Sequence, residues 1–386
     1  MYFFLSSILP SLWLAPADTH RSATLLEFAY TVDFLSSLSG TRPQWAWMDK
    51  VDVMLTLRLN AQTSVFLYGL GNQGKAFSES LGIAQTLSNI EAPTSWRLYE
   101  AFIEYVTAAE RFSILAGLYD LSSEFDALST ARLFLNSSFG TGPELAQSRP
   151  QGPSIFPVTS LGMRLRALLT PFAYSQLALL DGVPGDPSHP AGTHVRFDAN
   201  DGLLLVAEVG LSPKLQSHSV LRPWQASRLA EADEVPKIAL GAWYYTARFE
   251  RHKAGWQRGN AGVYLLGEVL LIENESRALW GFIRLGVADP RVNRFAYYTG
   301  GGLSAKGWIA GRAQDRLGIG LAAVHHSPFY THSDGRARTT EWVIEGTYLW
   351  QITPNFYFQF DLQGVHQPNT LPDSILVGGV RLHWTL

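Results

Sequence analysis

From Glu341 to Leu386 the chain alternates apolar and polar residues, and this period of two leaves few folds open. In E-W-V-I-E-G-T-Y-L-W one face carries Trp342, Ile344, Gly346, Tyr348 and Trp350, and the other Glu341, Val343, Glu345 and Thr347. Further on, Phe356, Phe358, Phe360 and Leu362 oppose Gln359, Asp361 and Gln363. The last run sets Gly378, Val380, Leu382, Trp384 and Leu386 against Arg381, His383 and Thr385. A strand sorts neighbours onto two faces in this way, and a helix does not. The same pattern, followed backwards, marks strands near 23–38, 46–59, 62–71, 95–107, 110–120, 158–169, 171–181 and 202–211. It continues at 237–250, 259–272, 277–288, 295–304, 315–325, 339–352, 355–366 and 375–386.

Alternation alone does not say which face meets water, and here composition matters. Charged residues are 16% of the chain and aromatic residues 12%, against roughly 25% charged in soluble domains. Very short connections, Asn60-Ala61, Ala108-Ala109, Thr170-Pro171 and Thr353-Pro354, follow even-numbered strands, while those after odd strands are mostly longer. Trp342 and Trp350 stand about 20 Å apart in height on a tilted strand, near the spacing of two membrane interfaces. The last apolar strand would be an open, aggregation-prone edge unless the sheet closes. These features predict an all-β fold, a transmembrane antiparallel β-barrel of about sixteen strands with short periplasmic turns and long external loops. Residues 212–236 run against this, because a short turn is expected after the eighth strand. Either they are a periplasmic insertion or the strand count slips there.

The opening MYFFLSSILPSLWLAPA ends in an A-x-A shape. Residues 1–22 read as a signal peptide or an apolar tail that docks on the fold, with the barrel at 23–386. There are no cysteines, which excludes disulfides and thiolate chemistry, and a formal net charge of −3 gives no basic surface for nucleic acid.

Several segments follow one another from about residue 24 to the C-terminus. They include Ser88-Asn-Ile-Glu91 with Trp96-Arg-Leu-Tyr-Glu100, and Ala116-Gly-Leu-Tyr-Asp120 with Glu124-Phe-Asp126. They also include Leu133-Phe-Leu-Asn-Ser-Ser-Phe-Gly140, Gly152-Pro-Ser-Ile-Phe-Pro157 and Asp181-Gly-Val-Pro-Gly-Asp186. In this shared order they resemble the carbohydrate-selective porins of the OprB family. The resemblance implies an outer-membrane channel for passive diffusion of sugars such as mono- and disaccharides, with weak binding in the pore. It implies carbohydrate solutes and outer-membrane lipid as partners, no cofactor and no catalysis. The oligomeric state stays open.

If the apolar face meets lipid, the opposite face lines the lumen. Alternation places Arg58, Glu100, Glu104, Arg164, Arg166, Glu208, Arg248, Glu268, Arg284, Glu345, Asp361 and Arg381 there, with Glu27, Asp33, Asp52 and Glu341. A neutral sugar is served by donors and acceptors of both signs, which replace water around its hydroxyls. The same charges are also what any water-filled barrel needs. Arg164 and Arg166 are the leading path candidates, since they share one face and follow 121–157, a segment expected to fold inward as a constriction loop. Within and beside it Asp120, Glu124 and Asp126 are expected to pair with wall arginines, as loop anchors or sugar contacts. Tyr99, Trp243 and Tyr245 look outward by parity.

Two other motifs carry less. Gly69, Gly71 and Gly74 fit a dinucleotide-loop spacing, but the next run alternates, whereas a parallel core strand would be apolar on both faces. His325 and His326 are adjacent on a strand, so they face opposite ways and do not easily share a metal. A general or ion-preferring porin, or a barrel enzyme, are the alternative readings.

Overall fold

The computed structural model describes residues 24–39, 44–149, 152–196, 198–213, 234–330, 340–367 and 374–386. The expected signal peptide or tail at 1–22 lies outside the described residues. Sixteen strands close into one antiparallel barrel in chain order. The first eight are β1 (Thr24–Ser37), β2 (Trp45–Arg58), β3 (Thr63–Gln73), β4 (Ser95–Val106), β5 (Phe112–Tyr119), β6 (Ser160–Thr170), β7 (Ala173–Asp181) and β8 (Leu203–Leu211). The others are β9 (Lys237–Glu250), β10 (Trp256–Asn274), β11 (Arg277–Ala288), β12 (Phe295–Lys306), β13 (Arg316–His326), β14 (Thr340–Thr353), β15 (Phe356–His366) and β16 (Ser374–Thr385). Each coincides with a run read from the alternation. The count does not slip at 212–236: β8 pairs with β9 from Leu204↔Tyr245 to Leu211↔Ile238. That connection leaves from the short-turn end, and its residues 214–233 lie outside the described residues.

Closure is made by β1 and β16, paired from Ala29↔Thr385 to Ser37↔Val377, so the last strand has no free edge. The distribution of exposure then identifies the solvent. On β14 Trp342 is 43% and Ile344 52% exposed, while Glu345 on the other face is 0% exposed. On β15 Leu362 is 48% exposed and Gln363 0%. A water-soluble protein would invert this, so the outer surface is built for lipid. At the short-turn end, rings gather into a girdle. Trp350 lies 6.0 Å from Phe358, Phe356 5.1 Å from Phe358, and Phe28 6.2 Å from Trp384. Such rings suit the level where hydrocarbon meets water.

Two long external connections turn inward instead of outward. Residues 74–94 carry α1 (Phe77–Ser80), and 120–159 carry three short 3₁₀ turns and α2 (Pro143–Ala146). Their Phe77, Leu87, Phe125, Phe134, Phe139 and Leu145 are buried in one apolar cluster with wall residues such as Phe66, Phe102, Tyr245 and Phe282. The lumen therefore holds an apolar core of its own, packed between the wall and the inserted segments.

The glycine-rich stretch belongs to this architecture. Gly69 and Gly71 lie inside β3, which is antiparallel to β4, and no βαβ unit follows. A Cβ on Gly71 would run into the indole of Trp96, whose ring lies across that glycine on the outer wall. The glycine here accommodates an aromatic neighbour, not a phosphate.

Candidate functional site: the lumen and its inserted segments

Most of the charged residues placed in the lumen by alternation are buried there, and their partners are the inserted segments. Glu345 accepts from the backbone N–H of Leu135 at 2.6 Å and of Asn136 at 3.0 Å. Glu268 accepts from Ser129 N (3.2 Å), Ser129 Oγ (2.9 Å) and Thr130 N (2.8 Å). Glu341 receives Ala84 N at 3.0 Å and Gln85 N at 2.8 Å. Glu208 accepts Asp126 N at 3.1 Å, the hydroxyls of Tyr174 (2.6 Å) and Tyr264 (2.8 Å), and lies 3.4 Å from Lys237 Nζ. Glu100 accepts Asp120 N at 3.1 Å. A loop buried in a barrel has backbone donors that no strand satisfies, and wall carboxylates supply the acceptors.

The arginines close the same connections from the other sign. Arg164 is 0% exposed; its Nε donates to Glu124 at 2.7 Å and its Nη2 to Glu104 at 2.8 Å. Arg284 donates to the Asp126 carboxylate at 2.6 Å and to the Phe139 carbonyl at 2.9 Å. Arg381 holds Asp33 through two contacts of 2.7 Å and reaches Asn89 at 2.8 Å. Arg166 binds Gln176 and lies over the Tyr174 ring at 4.3 Å. Asp361 accepts from Gln363 at 2.8 Å. Arg58 is the last residue of β2 and is exposed at the short-turn end.

Four residues are reassigned. Tyr99, placed outward by parity, is 2% exposed and donates to Asp120 at 2.8 Å. The cause is a β-bulge: Tyr68 pairs with Glu100 but Gly69 pairs with Leu98, so Tyr99 is an extra residue and the faces swap there. Trp243 and Tyr245 also point inward, at 2% and 0% exposure. Arg248, placed in the lumen, is exposed on the opposite face of β9 with Ile238, Leu240 and Tyr244. Both faces of β9 are rich in apolar residues, because its inner side packs against the inserted segment. Hydropathy therefore gave the wrong sign.

Open space remains beside the packed segments. A chamber of about 390 Å³ lies against β1–β4, β15 and β16. Asp120 and Arg381 reach it, together with Lys50, Asp52, Arg132 and His383. Its rings are Tyr68, Tyr99, Tyr357 and Phe156. Tyr68 and Tyr99 meet edge to face at 5.0 Å, and Tyr99 meets Phe156 at 6.5 Å. Lys50 lies 3.1 Å from Asp52, which also accepts the Tyr68 hydroxyl. His383 stacks on Tyr357 at 4.8 Å. Phe156 also lines a second space of about 690 Å³ at the external end, with Phe249, Tyr330, Arg149 and Arg294. Lys50 and His383 were legible in principle, since they share parity with Asp52 and Arg381. Phe156 and Arg132 lie in the inserted segment, where no periodicity reports direction.

Among the described residues, no group of three or more His, Asp or Glu stands together as a metal site. One buried acid is not clamped. Glu144 of α2 is 1% exposed, and its oxygens take no hydrogen bond from another residue. Burial, and then the nearby Asp126 carboxylate, push its carboxyl up to about 8. A Cβ on Gly286 would collide with this carboxyl, so it sits directly against β11. The folded protein thus holds a proton on Glu144 that the unfolded chain releases near 4.5. Stability is expected to fall as pH rises from about 4.5 to about 8, by at most about 5 kcal/mol, and to level off above. Glu144→Gln is expected to remove that decline. Heat-induced unfolding followed by gel mobility at pH 5 and pH 9 would check it, and an equal decline in both proteins would refute it.

A closed sixteen-strand barrel with a lipid-facing outer wall and a lumen narrowed by its own connections defines an outer-membrane porin. Residues 56–386 match the Carbohydrate-selective porin, OprB family. The chain belongs to that family. The high-pH structure of Pseudomonas putida OprB is similar at a TM-score of 0.79 and 16% identity, covering 94% of each chain. Its low-pH structure gives 0.58 at 16% identity, over 94% of this chain and 92% of that one. An anion-selective porin from Comamonas acidovorans gives 0.56 at 9% identity, over 95% and 100%. These identities show the shared fold alone. No curated protein matches the chain significantly. The family and fold are those of channels, not enzymes.

Proposed function

We propose that this porin passes small carbohydrates by diffusion with weak binding, and that the path runs from the external space past Phe156 into the chamber beside β1–β4. One observation carries the reading. The chamber joins charges of both signs to a run of rings, Tyr68, Tyr99 and Phe156, and Phe156 borders both spaces. Side chains of both signs replace water around hydroxyls, and rings offer a face to the C–H side of a sugar. A neutral solute gains little from a single-sign field, so a mixed lining suits a sugar better than an ion. In this reading 121–157 is the constriction, held in place by Arg164, Glu268, Arg284 and Glu345, with Arg166 acting through Gln176, whose amide donates to the Glu124 carbonyl. Asp120 and Arg381, with Asp52 and Lys50, would meet the solute. No bond is made or broken.

Liposome swelling tests this. Proteoliposomes are expected to swell quickly in monosaccharides, more slowly in disaccharides and hardly in larger oligosaccharides. Swelling that ignores solute size up to large oligosaccharides would contradict a path of this width.

A further inference from the structure

Arg248 leaves the lumen assignment with its charge unexplained, and its surroundings give it another role. On the outer wall, near the external ends of β9 and β10, Arg248 is the direct cross-strand partner of Arg258. Both are exposed. Like charges placed opposite each other on neighbouring strands repel. Among the described residues neither guanidinium has an ion-pair or hydrogen-bond partner. Glu250, two residues further on the same face, pairs with neither, and Asp198 is taken by Arg196 at 3.0 Å. The two guanidiniums therefore face outward with no acid among the described residues to balance them.

They line a groove of about 530 Å³ with Asn200, Thr246 and Trp256. The groove sits at the rim, where the outer wall meets the mouth. Immediately below, Tyr244 lies over Gly259, whose φ of +84° marks the bulge that shifts the register between Arg258 and Asn260. The wall below that is apolar and exposed: Tyr244 43%, Leu240 55%, Leu203 43% and Val263 49%. Trp256, 59% exposed, stands at the level where interface aromatics belong. A polar, cationic notch above a strip of lipid-facing side chains is the shape of an amphiphile with an anionic head.

We propose that Arg248 and Arg258 form a binding site for the phosphorylated headgroup of an outer-leaflet lipid, with its acyl chains lying along Leu240, Leu203 and Val263. Paired guanidiniums suit phosphate because each offers a planar fork of donors. The occupant is a lipid and not a free anion because the cations open onto the membrane-facing wall.

The test uses the full chain in detergent and native mass spectrometry, comparing the wild type with the double variant Arg248→Gln, Arg258→Gln. The probes are bisphosphorylated lipid A, the same lipid dephosphorylated, and inorganic phosphate. The wild type is expected to retain bisphosphorylated lipid A about tenfold better than the variant. Both proteins should hold the dephosphorylated lipid equally and weakly, and inorganic phosphate should not displace the bound lipid. Equal retention of the phosphorylated lipid by the two proteins would overturn the proposal, as would displacement by inorganic phosphate at matched concentration. Unchanged heat-modifiable gel mobility of the variant shows that it is folded and keeps either outcome interpretable.

Discussion

Replacing Arg164 with methionine is expected to destabilise the barrel by about 3–5 kcal/mol, more than any other single wall change. Arg164, Glu104 and Glu124 are all 0% exposed at their side chains. Deleting the cation removes the positive charge that both buried carboxylates contact. Glu124 also accepts the Tyr119 hydroxyl at 2.7 Å, so the beginning of the inserted segment is held through the same group. The pair does not have to be net favourable against an apolar substitute for this to hold, because the cost is that of orphaned charge. Hence Arg164→Met combined with Glu124→Gln is expected to recover part of the loss, with Glu104 the remaining acid. Unfolding in urea, followed by gel mobility, measures both. Equal stability of Arg164→Met and wild type would refute the clamp.

Glu345→Ala is the second large effect, and it reads out on conduction. The substitution removes the acceptor of the Leu135 and Asn136 amides. Each buried donor left without a partner costs about 1–3 kcal/mol. The segment between Thr130 and Phe139 loses a fixed point opposite β14, so single-channel conductance should rise and fluctuate. Glu345→Gln, which keeps one acceptor oxygen, should fall between. Conductance and noise identical to wild type in Glu345→Ala would show that the segment is held by its apolar packing alone.

These two predictions also mark where sequence reasoning stopped. All sixteen strands were legible because the membrane enforces one rule along the whole outer wall: alternate residues meet lipid. Glu345, Gln363 and Arg381 were placed inward by that rule. It failed where another constraint interrupted it. At Tyr99 a single bulged residue swaps the faces of β4, and nothing in W-R-L-Y-E-A-F announces it. On β9 the inner wall is apolar because an inserted segment packs there, so Trp243 and Tyr245 resemble lipid-facing residues. The inward course of 121–157 was expected, but the use of wall carboxylates as acceptors for its backbone was not. That use depends on which amides arrive opposite which acids, which is a property of the folded loop. The expectation that Glu124 and Asp126 pair with wall arginines came from charge alone, and the partners are Arg164 and Arg284.

The central claim is that sugars travel past Phe156, and blocking the ion current with sugar tests it most directly. In planar bilayers, the wild-type current is expected to fall with rising mono- or disaccharide concentration and saturate. Phe156→Ala should require roughly three- to tenfold more sugar for the same block, the equivalent of about 0.5–1.5 kcal/mol for one ring contact. Its ion current should be undiminished. A wild-type current that is ion-selective and indifferent to sugar would contradict the account and leave a general porin of the same fold.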